Sequence, residues 1–79
     1  MTEITLELLT TQFDELEHKV KNEQINLERA FDKLSAIMLK IIKLKKTSPS
    51  YELDELYRKA FSLQYELTIK INKQLNEGI

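Results

Sequence analysis

From Leu6 to Leu44 the apolar residues recur at alternating spacings of three and four. The series runs Leu6, Leu9, Phe13, Leu16, Val20, then past a single polar position at Glu23 to Leu27, Ala30, Leu34, Ile37, Ile41 and Leu44. This alternation lays the side chains along one face of an α-helix, and such a face must be buried against another helix. No Gly or Pro interrupts the segment, so the pattern predicts a long first helix over about residues 11–46. Residues 1–10 are two-sided. Ile4, Leu6 and Leu8 alternate as in a strand, while Leu6 and Leu9 fit the helical face; this stretch either continues the helix or lies as a separate arm. Thr11 followed by Asp14 forms one candidate start, related to the capping box. Asn22-Glu23-Gln24 is a polar interruption that bends the helix or marks a wet patch.

Thr47-Ser48-Pro49-Ser50 is the single clear turn, with Ser48 or Ser50 as the cap of the next helix. That second helix is predicted over about residues 49–76, where Leu53, Leu56, Tyr57, Ala60, Leu63, Leu67, Ile71 and Leu75 share one face. So short a turn makes the helices antiparallel neighbours. The predicted fold is therefore all-α: one domain over residues 1–79, built as an antiparallel, coiled-coil-like two-helix hairpin with its turn at residues 47–48.

The helix lengths carry the main functional expectation. At about 1.5 Å per residue, helices over 12–46 and 49–76 measure roughly 50 Å and roughly 40 Å, so the returning helix reaches back only to about residue 20. Leu6, Leu9, Phe13 and Leu16 are then left without an intramolecular partner. Burying each is worth about 1.5–3 kcal/mol, so something covers them: a second copy, another protein or a folded-back N-terminal arm. Leu6, Leu9, Phe13, Leu16 and Val20 are the expected partner-binding residues. Tyr51, Tyr65 and Ile69 project well off the second helix's apolar face and form a second candidate contact surface, since aromatic residues are enriched in interfaces.

Composition narrows the function further. The chain has 79 residues, at the size where small domains often need oligomerisation or another staple. It has no Cys, which excludes disulfides, thiol nucleophiles and Cys-ligated zinc. No apolar run approaches the ~18 residues of a membrane span, and Met1-Thr2-Glu3 lacks the basic start of a signal peptide. The expectation is a soluble cytoplasmic protein. Residues 1–32 carry eight acids and three bases, while residues 33–48 carry five Lys and no acid. Lys40, Lys43, Lys45 and Lys46, with Arg58 and Lys59, make a basic tip that can contact phosphates. A basic helix end more often offsets the helix dipole, and nucleic acid is not the expected partner. Glu15 and His18 have the i, i+3 spacing of di-iron bundles, but both point away from the apolar face and His18 is the only His. No nucleophile–base pair and no Gly-rich phosphate loop is present. No cofactor, metal or catalytic residue is expected.

Three resemblances accompany these features. Leu27-Glu28-Arg29-Ala30-Phe31-Asp32-Lys33-Leu34, then Tyr51 and Lys59-Ala60-Phe61, resemble the two helices of the small helical-hairpin chaperones of type III secretion needle subunits. That likeness spans about two-thirds of the chain and needs a gap between Leu34 and Tyr51. It implies a non-enzymatic chaperone or adaptor that covers a partner helix, joins a tetratricopeptide-like co-chaperone and keeps a secreted subunit monomeric. Ser50-Tyr51-Glu52-Leu53-Asp54 resembles the Ser-Gln-Glu-Leu-Asp signature of phosphatases acting on a phosphorylated sporulation response regulator. That likeness implies roles for Ser50 and Asp54, although Tyr51 stands in place of Gln. Asp54-Glu55-Leu56-Tyr57-Arg58 is similar to a stretch of the plasmid repressor-of-primer RNA binders, which implies a small RNA-binding regulator. The leading expectation is protein–protein association, as a homodimer or with a protein partner.

Overall fold

The structure is a computed structural model and describes residues 4–77. Within them the chain forms three α-helices: α1 over Leu6–Lys21, α2 over Leu27–Thr47 and α3 over Tyr51–Glu77. The bundle is a rod of 46 × 19 × 18 Å. The expectation of an all-helical chain holds, but the predicted first helix is two helices, so the hairpin becomes a three-helix bundle.

The break lies at Asn22–Asn26 and uses neither Gly nor Pro. The backbone N–H of Glu23 donates to the Val20 carbonyl (3.2 Å) and that of Gln24 to the Lys19 carbonyl (2.8 Å). With Asn22 as the C-cap, this is the paired bonding of a Schellman motif, which requires its first residue beyond the cap to be left-handed. That residue is Glu23, with φ 54°. Glycine is the usual occupant because a side chain costs about 1–2 kcal/mol there. The chain then restarts at Asn26, whose side-chain oxygen accepts from the N–H groups of Glu28 (2.9 Å) and Arg29 (3.2 Å). This satisfies donors that an uncapped helix start leaves open.

The other ends are equally local. Thr5 caps α1 by accepting from the Leu8 N–H at 3.1 Å, so the helix starts before the Thr11–Asp14 candidate. Thr10, inside α1, returns its hydroxyl to the Leu6 carbonyl at 2.8 Å. Ser50 rather than Ser48 precedes α3, accepting from the Leu53 N–H at 3.2 Å. Of the N-terminal stretch, Met1–Glu3 lie outside the described residues, and from Leu6 onward it is helix, continuous with the rest of α1.

Reversal at Asn22–Asn26 lays α1 back against α2 and, to a lesser extent, α3. One core results. It combines Leu9, Phe13, Leu16 and Val20 from α1 with Ala30, Leu34, Ile37, Met38 and Ile41 from α2. Leu53, Leu56, Ala60, Leu63 and Leu67 from α3 complete it. Leu6, Ile25, Leu27, Phe31, Leu44 and Tyr57 pack around its edge. No polar or charged side chain is buried among the described residues. Of the three coverings the difference in helix length allowed, the chain supplies its own: the segment before residue 22 folds back.

Two substituted positions test this packing. Glu23→Gly removes the left-handed side-chain penalty, and after the entropy it adds to the unfolded chain it is expected to raise stability by about 0.5–1 kcal/mol, with Glu23→Val lowering it by about 1 kcal/mol. Phe13→Ala is expected to cost about 3–5 kcal/mol, a large share of the stability of a domain this small. Urea denaturation measures all three. A Phe13→Ala loss below about 1 kcal/mol would show that α1 is not part of the core.

Candidate docking face

The five α1 residues expected to bind a partner are engaged within the chain itself. Leu9, Phe13, Leu16 and Val20 are buried and Leu6 is half-buried against the core. The expectation that they await a partner is corrected: it assumed a straight helix through Glu23, and the turn there removes the mismatch of lengths. Of the second expected surface, Tyr51, Tyr65 and Ile69 are all exposed on α3.

Ile4 and, near the end of α3, Leu75, expected on the core face, are exposed; most of the other exposed apolar residues have a common address. Helical phase divides α2 into two stripes. The core stripe is Ala30, Leu34, Ile37, Ile41 and Leu44. A second stripe, also spaced four-three-four-three-four, is Glu28, Asp32, Ser35, Leu39, Ile42 and Lys46, lying roughly 100–180° around the helix. Leu39 is 60 % exposed and Ile42 38 %. On α3, Phe61 (57 % exposed) and Tyr65 (65 %) sit one turn apart on the side away from the core. Tyr51 and Ile69 lie further round the same helix, at the edge of this surface.

Cross-helix contacts set the register between the stripes. The Lys45 ammonium pairs with the Asp54 carboxylate and stands 5.9 Å from the centre of the Tyr57 ring. Helices joined in this register bring Ile42 level with Tyr57 and Leu39 level with Phe61. α1 lies on the opposite side: the clefts it borders are lined by Lys33, Ala36 and Lys40 of α2 and by Lys59, Ser62 and Glu66 of α3. Phe31, Leu39, Ile42, Tyr57, Phe61 and Tyr65 therefore form one apolar face across α2 and α3, turned away from α1. Leu39, Ile42 and Phe61 were not expected as site residues; the second four-three repeat in α2 was the available signal.

The other candidate groups have local duties. Ser50 caps α3, and Asp54 holds Lys45 across the turn, so the pair suspected from the phosphatase likeness is tied into the α2–α3 junction. Lys45, counted in the basic tip, is engaged there as well. Glu55 interacts with Tyr51, raising the phenol above its ordinary range first by hydrogen bonding and then by charge, and lies 3.7 Å from Arg58. The exposed His18 ring is 3.2 Å from the Asn22 amide nitrogen. No group of three or more potential metal ligands occurs among the described residues. No helix among them is long and apolar enough to cross a membrane.

Comparison of the chain with protein-family models, curated proteins and solved structures finds no match. The docking face therefore stands on its own chemistry.

Ser50→Ala is expected to lower stability by about 0.5–2 kcal/mol through loss of the cap. Asp54→Ala is expected to lower it by about 1 kcal/mol or less, because the Lys45 pair is half-exposed. Thermal unfolding checks both. In a decay assay on a phosphorylated response regulator, a rate acceleration lost in Asp54→Ala while the fold is retained would instead favour the phosphatase reading.

Proposed function

We propose that the chain is a small non-enzymatic protein-binding module, of the chaperone or adaptor kind, that covers a partner helix with its α2–α3 face. The observation carrying this reading is the apolar surface centred on Leu39, Ile42, Phe61 and Tyr65. Those four side chains leave on the order of 400 Å² exposed, within the range at which a single patch on a small protein is often functional. Two antiparallel helices side by side, each with exposed apolar residues on the same side, offer a surface against which an amphipathic helix lays its own apolar stripe. Aromatic anchors beside aliphatic ones, ringed by Lys, Arg, Asp and Glu, also match the anatomy of a binding site with a desolvated centre and a polar rim.

The needle-subunit role was implied by the likeness of Leu27–Leu34, Tyr51 and Lys59-Ala60-Phe61, and an open Leu6–Val20 face suited it. With that face covered by α2 and α3, the proposal keeps the class of work and moves the contact to the other side of the bundle.

Photo-crosslinking tests the reading. Benzoylphenylalanine in place of Phe61 should yield a discrete adduct under conditions where the same group in place of the exposed Asp14 on α1 does not. Excess unlabelled chain should compete the adduct away, and excess Phe61→Asp chain should not. Equal labelling from both positions, or no adduct from position 61, would overturn the assignment.

A further inference from the structure

We infer that the occupant of the α2–α3 face is a second copy of this chain, docked antiparallel so that α2 faces α2 and α3 faces α3 across a two-fold axis. This rests on the docking-face reading and names its partner. Charge order along the outer stripe of α2 points to it. Glu28 and Asp32 stand at its start, Ser35, Leu39 and Ile42 in the middle and Lys46 at its end, with Lys43 on its flank beside Ile42; all four charged residues are exposed. None of the four joins an ion pair among the described residues, whereas Lys45 beside them is committed to Asp54.

Such an order is self-complementary only in one direction. Turned end over end about a point near residue 37, Glu28 of one copy meets Lys46 of the other, and Asp32 comes opposite Ile42 with Lys43 beside it on the flank. Ser35 then lies opposite Leu39, the small side chain leaving room for the larger. The same axis crosses α3 near residue 62 or 63, because Leu39 and Phe61 are level across the bundle. Around that point Phe61 of each copy meets Tyr65 of the other, giving two aromatic pairs beside the axis. One rotation therefore brings together the Glu28–Lys46 pairs of α2 and the rings of α3, as an isologous contact requires.

A parallel arrangement would set Lys46 against the Lys45–Asp54 pair of the other copy and leave Glu28 opposite the uncharged Asn72. The size also fits. The four apolar side chains supply about half of the roughly 800 Å² that each partner buries in a standard interface, and the charged rim supplies the rest.

Sedimentation equilibrium of the full 79-residue chain tests this, with far-UV circular dichroism to establish folding. The wild type should sediment at twice the mass of the 9.3 kDa chain. Glu28→Lys with Asp32→Lys in one chain, and Lys43→Glu with Lys46→Glu in another, should each weaken self-association on the order of 100-fold, because every cross-pair becomes repulsive. Mixing the two should restore a dimer, now containing one chain of each kind. Should either double variant fail to fold, Tyr65→Lys, at a fully surface position, should give a folded monomer in its place.

A wild type monomeric at several hundred micromolar overturns the inference. So does a dimer indifferent to both charge reversals, or a mixture that stays monomeric. A monomeric wild type that still crosslinks from position 61 to a different protein would leave the docking face standing and remove only the second copy. A monomer without such an adduct would remove both.

Discussion

The chain reversal at Asn22–Asn26 is the constraint on which the rest of the structure depends. Four apolar side chains of α1 become buried only because Glu23 accepts a left-handed conformation and Asn26 restarts the helix. At about 1.5–3 kcal/mol for each buried side chain, the gain far exceeds the 1–2 kcal/mol of the left-handed residue. Much of it offsets the ordering of the 16 residues of α1. The reversal also decides which surface remains open. By occupying one flank of the α2–α3 pair, α1 leaves the opposite flank, with Leu39, Ile42, Phe61 and Tyr65, exposed.

Helix content, the α2–α3 turn and nearly the whole core were legible in the residues. The spacing that selected Leu9, Phe13, Leu16, Val20, Ala30, Leu34, Ile37 and Ile41 selected the side chains that are buried. What the spacing hid was the break. Val20 and Leu27 are seven residues apart, two helical turns, so the apolar series stays in phase across a turn that redirects the chain. Periodicity is blind to an interruption of that length. The usual breakers were missing because the Schellman position holds Glu instead of Gly. Two weaker signs were present: Glu23 is the one polar member of the series, and Asn26 precedes Leu27-Glu28 as a cap does.

The exposed apolar face was legible in a different way. Tyr65 was picked out by its distance from the core stripe, and it belongs to the face; Tyr51 and Ile69, chosen on the same ground, lie at its edge. Leu39 and Ile42 lie outside the core series but beside the buried Met38 and Ile41, and a wide apolar arc reads as one stripe. Only the three-dimensional position of α1 separates the arc into a half that is covered and a half that is not. Phase within one helix tells which residues share a side, and it takes the neighbours to tell which side is inside.

Setting the core and the exposed apolar face on opposite sides of α2 has a mechanical consequence. Ile37 and Ile41 serve the core, while Leu39 and Ile42 project to the outer face within the same two turns. A side chain can change on one side without a cavity opening on the other. The charged members of the outer stripe form no ion pair within the described chain. An isolated rod of this size holds few apolar side chains in reserve. A second bundle laid along the open face would extend the buried core from three helices to a shared set of four at its centre. In the dimer proposed above, the Glu28–Lys46 pairs would make that reserve specific to one orientation of the two copies.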